Sequence, residues 1–557
     1  MTSVKKIKVA LLALVAALVI AIPTSAFAAQ DITVTSKTSN DGYKAVQVFE
    51  ADVDANNQLT NIKWGKDITP ATLITNLSAD TDFAAAKAAQ EAANKPVDAA
   101  FVAQWLGTAG DAKAAVFADA VANARAAANN GTPLEYVKGS SFTYKASVEK
   151  EGYYLVIQDT AGTYTYSDGR TQEGALTKFI VKVVGDTAVV QAAKTDVPSV
   201  TKEVKEDRDG SWGATADDEI GKAIDYRITG TIPTNYDLFK SYHYEFTDTM
   251  SKGLTLDQGT IAVKTSGGVD ITDMFKKADG SFDVTTTQDG KTVLVLKAAD
   301  LKADDRTKNL TSSDTIIVTY QAKLNADCVV GMPGNPNTVN LKYSRDPNTD
   351  GGGEPGTTPD EECIVFTYEL DTLKKGQGQD ADKLEGAKFV LYNADKSKVA
   401  KVVNGRLVSW DAVADAQEND EFKAEYVLTS GSDGHFKVAG LDEVKGENTF
   451  YILTEIFAPE GYAVHPDVKI VIDATTGADA SGAKKILTLK IEVDEGDPDD
   501  GDLNSGVVNA QIINVAKTGL PSTGGIGTTI FTIVGIALIV AAAAIMVIRR
   551  RNAAAIQ

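Results

Sequence analysis

The stretch Tyr451-Ile452-Leu453-Thr454-Glu455-Ile456-Phe457-Ala458-Pro459-Glu460-Gly461-Tyr462 begins with residues that favour a β-strand. Alternate side chains of a strand face the same way, so Glu455 shares a face with Tyr451 and Leu453. Taken alone, such a carboxylate could simply lie at a strand edge. On a face that carries large apolar residues, however, it becomes a candidate for buried chemistry.

The region around this stretch, about 368–517, also contains the strand-like segment Gly386-Ala387-Lys388-Phe389-Val390-Leu391-Tyr392. The preceding region, 196–367, consists of short segments with period-two alternation, separated by Gly, Asn and Asp. A Gly- and Pro-rich loop, 345–362, precedes its last strand. This pattern predicts an antiparallel sandwich of immunoglobulin type, and the later region repeats it.

The first region, 29–195, combines two patterns. Its ends are strand-like, whereas residues 79–129 are rich in alanine, with Phe83, Phe101 and Trp105 among apolar residues at helical spacing. We therefore predict an α+β domain, a sheet with a helical insertion. The whole chain is predicted to be mainly β, with tandem immunoglobulin-like sandwiches after this domain.

Both ends of the chain carry targeting patterns. Basic residues precede an apolar run at 9–22, and Ala26-Phe27-Ala28 supplies a small-x-small cleavage site, so residues 1–28 are predicted to be a secretory signal peptide. Near the other end, an apolar run at 526–548 is long enough for a transmembrane helix. The basic tail, 549–557, should hold its end in the cytoplasm.

Charge and composition exclude several function classes. The net charge of -21 leaves no basic patch for phosphate backbones, so we expect no nucleic-acid partner.

The three histidines are scattered, and the calcium-like spacing at 52–58 lacks the central glycine and the closing glutamate. A solvated turn is the better interpretation of that loop, and no metal or cofactor is expected. Cys328 and Cys363 either form one disulfide or stay unpaired.

Just before the apolar run stands the pentapeptide LPSTG, formed by Leu520, Pro521, Ser522, Thr523 and Gly524. Motif, apolar span and basic end together resemble the cell-wall sorting signal of Gram-positive surface proteins. This resemblance implies cleavage between Thr523 and Gly524 by a sortase. The precursor would be membrane-bound only transiently, and the product would be secreted and anchored in the cell wall.

The segments GAKFVLY and YxLxE...APxGY resemble a collagen-adhesin B-type domain, and the latter is similar to the E-box of Gram-positive pilins. The chain thus resembles a sortase-assembled major fimbrial (shaft) subunit. Members of this family join a lysine amine to an asparagine side chain inside a domain, with help from an acid. Desolvation should leave a neutral lysine and a carboxyl that polarises the amide.

Parity and the resemblance select two sets of residues for this chemistry. Lys202, Asp248 and Asn337 all share the parity of apolar neighbours in 196–367. In 368–517, the set is Lys374, Glu455 and Asn514, with Asp248 and Glu455 as the catalytic acids. Two alternatives stay open: Asn509 for the asparagine and Lys375 for the lysine.

Polymerisation would also need an acceptor lysine. Lys194 lies where shaft pilins carry theirs, although the family's usual tripeptide YPK is replaced here by Ala192-Ala193-Lys194. Lys182 and Lys178 are alternatives within a predicted strand.

The resemblance implies these partners: a pilin-specific sortase, a housekeeping sortase and peptidoglycan, other copies of the chain, and a tip adhesin subunit. The rival hypothesis is a monomeric wall-anchored adhesin that binds a host protein or glycan. An enzyme is not expected, and no host surface ligand is specified.

Overall fold

The computed structural model describes residues 29–517, except 57, 109–110, 128–129, 185–188, 348, 378–382 and 447, together with a few positions between 534 and 546. The chain divides into two compact units. The first runs to Thr367 and includes Thr475–Leu487, and the second comprises Tyr368–Ala474 and continues from Thr488. Strands make up 47% and helices 13%, which confirms the mainly β class.

The targeting segments cannot be followed in the structure. The signal peptide, the sorting motif, the basic tail and most of the apolar run lie outside the described residues. Within the part of the chain that is described, no helix is long and apolar enough to cross a membrane.

The first region of the first unit is built on an eight-stranded sheet, ordered β10-β1-β5-β4-β2-β6-β9 with β3 paired to β2. A separate ribbon joins β7 and β8. The strands are β1 Gln30–Thr35, β2 Gly42–Val53, β3 Leu59–Trp64, β4 Thr132–Tyr136, β5 Thr143–Val148, β6 Gly152–Thr160, β7 Thr163–Thr165, β8 Thr171–Glu173, β9 Lys178–Val183 and β10 Val189–Ala192.

The alanine-rich stretch forms helices that cover one face of this sheet. Asp80 and Asp98 begin α2 and α3 by accepting the backbone N–H three residues on, which satisfies an otherwise unpaired donor. Phe83 and Trp105 then pack in one core with Phe49 of the sheet. The helices are α1 Pro70–Leu77, α2 Thr81–Ala92, α3 Ala99–Gly107 and α4 Asp111–Ala122. The insertion thus has the predicted helical form, with α1 as an addition before it.

The second region of the first unit is a sandwich of two sheets. One is five-stranded, β12-β11-β14-β19-β16, and the other is seven-stranded, β13-β22-β20-β15-β18-β17 with β21 paired to β20. Their strands are β11 Val200–Lys205, β12 Trp212–Gly213, β13 Thr215–Asp217, β14 Ala223–Thr231, β15 Tyr244–Met250, β16 Leu254–Thr265, β17 Asp283–Thr286, β18 Thr292–Ala298, β19 Thr315–Leu324, β20 Asn335–Tyr343, β21 Gly356–Thr357 and β22 Glu361–Phe366. Short 3-10 helices occur at Tyr236–Leu238, Thr272–Phe275, Leu301–Ala303 and Asp350–Gly352.

The strands of the remaining region form an eleven-stranded sheet, ordered β34-β33-β32-β31-β24-β25-β26-β30-β23-β35 with β29 paired to β24. They are β23 Tyr368–Gly376, β24 Lys388–Tyr392, β25 Lys398–Val403, β26 Arg406–Ala412, β29 Leu428–Thr429, β30 His435–Leu441, β31 Tyr451–Phe457, β32 Val468–Ala478, β33 Lys484–Val493, β34 Asp499–Asp500 and β35 Val507–Asn514. Between them lie helix α5 Val413–Ala416, the ribbon of β27 Gln417–Glu418 and β28 Glu421–Phe422, and a 3-10 turn at Ala424–Tyr426.

One pairing in this sheet matters for the site. The first strand, β23, runs parallel to the last strand, β35, so that Lys374 lies opposite Ile512 and Gly376 lies opposite Asn514. The strand that carries Glu455, β31, pairs with β24 instead. The side chain of Glu455 therefore meets the other two through the core and not along a shared strand ladder.

Candidate functional site

Lys374, Glu455 and Asn514 meet in the core of the second unit. The Lys374 ammonium donates a short hydrogen bond to Oδ1 of Asn514 and lies 3.5 Å from Oε1 of Glu455. The amide nitrogen of Asn514 donates to both carboxylate oxygens, at 2.9 Å each. Nucleophile, amide and acid are thus in mutual contact.

Burial gives this cluster its chemical character. The side chains of Lys374 and Glu455 are both 0% exposed, and Lys374 lies over the ring of Phe389, 5.5 Å from its centroid. Loss of solvent lowers the pKa of Lys374 to about 8, although the neighbouring Glu455 carboxylate opposes the shift. A lysine with this pKa supplies a useful fraction of neutral amine near neutral pH.

The acid contacts the amide through its nitrogen. We expected the acid to hydrogen-bond to and polarise the amide, and Glu455 faces the amide nitrogen of Asn514. Its Oε2 also accepts the backbone N–H of His465 at 2.6 Å, which fixes the carboxylate in this position. Glu455 is therefore placed to deliver a proton to the nitrogen that would leave.

The two alternatives in this region lie on the other strand faces. Lys375 is half-buried, opposite in parity to Lys374, and Asn509 is exposed on β35. Neither strand has slipped in register relative to the parity prediction, so Lys374 and Asn514 are the pair that points into the core.

The second cluster lies between the two sheets of the sandwich. Lys202 comes from β11 in one sheet, and Asp248 and Asn337 come from β15 and β20 in the other. The Lys202 ammonium donates to Oδ2 of Asp248 at 2.8 Å, and both side chains are 0% exposed. Asn337 is equally buried.

Tyr320 of β19, which nothing in the sequence distinguishes from other inward tyrosines, completes this cluster. Its hydroxyl donates to Oδ2 of Asp248 at 2.6 Å and accepts from Lys202 at 2.9 Å and from the amide of Asn337 at 2.7 Å. The only signal available beforehand was its parity with the apolar residues of β19, and many core tyrosines share that feature.

Cys363 borders this second cluster. It lies opposite Asn337 in the β20–β22 ladder, and burial raises the pKa of its thiol to about 12. Cys328 and Cys363 are both buried in the described chain. The disulfide between them stays a prediction.

The candidate acceptor lysines differ in access. Lys194 is exposed in the segment between β10 and β11, and Lys182 is exposed on β9. Lys178 is ion-paired with Asp119, its side chain is only 8% exposed, and burial lowers its pKa. Thr523 and the rest of the sorting motif lie outside the described residues, so the structure relates none of these lysines to it.

The calcium-like loop joins β2 and β3. Oδ1 of Asp54 accepts the backbone N–H groups of Asn56 and Gln58, at 2.9 and 2.8 Å. Asp52 accepts the side-chain amide of Asn61. The aspartates thus fold back on their own turn, in agreement with the turn interpretation.

Comparison with known families identifies the modules around these clusters. The Gram-positive pilin backbone subunit 2, Cna-B-like domain matches residues 220–347. A prealbumin-like fold domain matches residues 371–484, and the LPXTG cell wall anchor motif matches residues 513–554. The chain therefore carries domains of the Gram-positive backbone-pilin type together with a cell wall anchor motif, which place it at the cell surface, anchored in the cell wall.

More particularly, it is homologous to the T6 backbone pilin. It is 25% identical over 398 residues to the trypsin-resistant surface T6 protein of Streptococcus pyogenes serotype M6, a match that covers 66% of this chain and 71% of the relative. Against the solved T6 backbone pilin the TM-score is 0.48 at 15% identity, covering 89% of this chain and 100% of that one. Against the major pilin SpaD of Corynebacterium diphtheriae the TM-score is 0.45 at 17% identity, covering 88% of this chain and 98% of that one.

The family models and the T6 relative confirm the resemblance derived from the sequence. The chain is a structural subunit and not an enzyme, and the structural interpretation is favoured over the monomeric adhesin. Its anchor motif marks it for sortase processing and for polymerisation with other pilin copies.

Proposed function

We propose that this chain is the shaft subunit of a fimbria, that its domains are 29–195, 196–367 and 368–517, and that successive copies of the chain are joined by covalent bonds. A pilin-specific sortase cuts after Thr523 and transfers the acyl group to Lys194 of another copy. A housekeeping sortase passes the last subunit to peptidoglycan, and a tip adhesin subunit occupies the far end. The fimbria supports adhesion to a host surface.

One observation carries this proposal: each of two domains holds a lysine, an acid and an asparagine together in a dry core. Ionisable side chains are almost never fully buried unless they are paired or used. Replacing such a cluster with apolar residues would often stabilise a domain. A covalent bond between lysine and asparagine would stabilise the domain in a way that a buried ion pair does not.

The contacts of the second unit support a route for the reaction. Lys374 acts as the neutral amine and attacks Cγ of Asn514, forming the Nζ–Cγ bond. Glu455 takes the surplus proton from Nζ and gives it to Nδ2, which it already contacts at 2.9 Å. The Cγ–Nδ2 bond then breaks and ammonia leaves, so the carboxylate is regenerated.

Intact mass spectrometry tests the internal bonds. Each bond releases one ammonia, so a fragment of residues 29–519 should be lighter than its sequence mass by about 34 Da. Asp248→Asn and Glu455→Gln should each restore about half of the deficit. Asp305→Asn, at an aspartate whose side chain is 89% exposed, is the matched control and should leave it unchanged. A fragment at its full sequence mass would contradict the proposal.

Trypsin digestion tests the same bonds in solution. The relative is named for its trypsin resistance, and we extend that property to this chain, which contains 55 lysines and arginines. The fragment should survive digestion, whereas the Asp248→Asn, Glu455→Gln double variant should be cut much faster because its domains open more readily. Equal survival of the two would remove the protective role of the bonds.

A denaturing gel of wall extracts distinguishes the shaft-subunit hypothesis from the hypothesis of a monomeric adhesin. A shaft subunit should appear as a ladder of covalent multimers that withstands boiling in detergent. A monomeric adhesin should give a single species attached to wall fragments.

A further inference from the structure

We propose that Tyr320 is a catalytic residue of the domain 196–367. Its hydroxyl relays a proton from Asp248 to the departing amide nitrogen of Asn337. This inference rests on the proposed bond between Lys202 and Asn337. It assigns a fourth participant to a reaction otherwise described with three.

The geometry points to a relay because the hydroxyl touches every reacting group. It lies 2.6 Å from Oδ2 of Asp248, 2.7 Å from Nδ2 of Asn337 and 2.9 Å from Nζ of Lys202. Asp248 itself contacts Lys202 at 2.8 Å. Oδ1 of Asp248 and Oδ1 of Asn337 are buried and have no hydrogen-bond partner among the described residues. The link from the acid to the amide therefore runs through Tyr320.

Comparison of the two clusters explains why one needs a relay. In the second unit, Glu455 reaches the amide nitrogen of Asn514 directly. Aspartate is one methylene shorter than glutamate, and in the sandwich the hydroxyl of Tyr320 stands between Asp248 and Asn337. The tyrosine thus bridges the gap that the shorter acid leaves.

The relay balances all protons. Neutral Lys202 attacks Cγ of Asn337, and its Nζ gives the surplus proton to Oδ2 of Asp248. Asp248 passes that proton to the oxygen of Tyr320 as Tyr320 gives its own proton to Nδ2. The Cγ–Nδ2 bond breaks, ammonia leaves, and the carboxylate and the phenol are both restored. Burial raises the pKa of Tyr320 well above its usual range, so the phenol is protonated before and after the step.

A neighbouring tyrosine shows that packing alone does not require these contacts. Tyr226 lies opposite Tyr320 in the β14–β19 ladder, with ring centroids 5.3 Å apart and planes within 9°. Its hydroxyl is buried, without a hydrogen-bond partner in the described chain. Both rings lie within 6 Å of the Lys202 ammonium, at 5.8 and 5.4 Å. Tyr226→Phe is therefore a matched control for Tyr320→Phe.

The test follows bond formation in the full-length chain as it is made. The chain is synthesised in a cell-free system with mild detergent, quenched in acid at successive times and digested. Mass spectrometry then quantifies the peptide that joins Lys202 to Asn337. The peptide that joins Lys374 to Asn514, formed in a different domain, serves as an internal clock.

Tyr320→Phe should slow the first bond by at least about 100-fold relative to the clock, the usual contribution of a positioned proton donor. Tyr226→Phe should keep the wild-type rate. Equal rates for the two variants would overturn the relay while leaving the bond itself in place. Absence of the Lys202–Asn337 peptide from the wild-type chain would overturn the proposed bond, and the relay with it.

A second variant decides the case in which Tyr320→Phe fails to fold, as judged by digestion of its domain 196–367 much faster than in Asp248→Asn, which also lacks the bond. A fluorotyrosine at position 320 keeps the ring, the stacking and the hydroxyl but makes the hydroxyl more acidic. A proton relay should respond with a changed rate. An unchanged rate would show that the hydroxyl only supports the fold, and the proposal would be abandoned.

Discussion

The groups around a buried lysine, and not its burial alone, distinguish the candidate reactive lysine from an ion-paired one. Lys374 and Lys178 both have a pKa lowered by burial. Lys178 faces Asp119 across an ion pair, whereas Lys374 faces both an acid and the amide oxygen of Asn514. Desolvation alone therefore does not define the site; the neighbouring asparagine does.

The pKa of Lys374 sets the pH dependence of its reaction. Only the neutral amine attacks, and its fraction rises as pH increases towards the lowered pKa of about 8. Bond formation in this domain should therefore accelerate about tenfold per pH unit between pH 5 and 7 and level off above pH 8. Unreacted chain, recovered in urea and diluted into buffers of different pH, allows the rate to be followed by mass. A rate that falls as pH rises would contradict the neutral-amine mechanism.

Strand parity made part of each cluster predictable. Lys202, Lys374 and Asn514 share the parity of apolar neighbours within their own strands, which is local information. Tyr320 meets Lys202 across 118 positions and from a different strand, a contact that no local pattern encodes. The orientation of the Asn514 amide was unpredictable for the same reason, because the backbone of His465 helps to fix Glu455.

At the scale of elements, the bond in the second unit would join neighbouring parallel strands. Lys374 is near the end of β23, and Asn514 is the last residue of β35. The two residues are 140 positions apart in sequence, so the bond closes almost the whole domain into one loop. A long closed loop restricts the unfolded chain more than a short one does.

Loss of this bond should be visible as lost stability. In the chain-entropy model, closing a loop of this length contributes about 5 kcal/mol, by analogy with a disulfide. Glu455→Gln should therefore lower the melting temperature of its own domain strongly. Glu460→Gln, at an exposed acid in the same stretch, is the control and should change it little. Calorimetry of residues 29–519 measures both, and equal melting curves would argue against a covalent closure.

The helical insertion was predictable because alanine and spaced aromatic residues carry a local signal. The parallel pairing of β23 with β35 was not, because it depends on the two ends of a domain meeting after the whole sheet has formed. Helix α1 was not predicted because it is short and precedes the alanine-rich stretch, although Pro70 at its first turn is typical of a helix start.

At the scale of the whole molecule, access decides which lysine can receive the next subunit. Lys194 is exposed in a connecting segment, and we expect Lys194→Ala to abolish the covalent ladder while the monomer folds normally. Lys182→Ala, at another exposed lysine, is the control and should leave the ladder intact. Both are scored on denaturing gels of wall extracts. Persistence of the ladder in Lys194→Ala would move the linkage to Lys182 or Lys178.

The parallel neighbours β23 and β35 have a final consequence for a pulled fibre. When the chain is stretched, force enters the domain through β23 and leaves through the residues after β35. With Lys374 bonded to Asn514, the pull would cross from one strand to the other at that bond and would not reach the residues between these two positions, which are 140 apart in sequence. Unravelled, those residues would lengthen the fibre by roughly 490 Å per subunit. The bond would prevent this unravelling, so this domain should add no extension to the fibre until a covalent bond breaks.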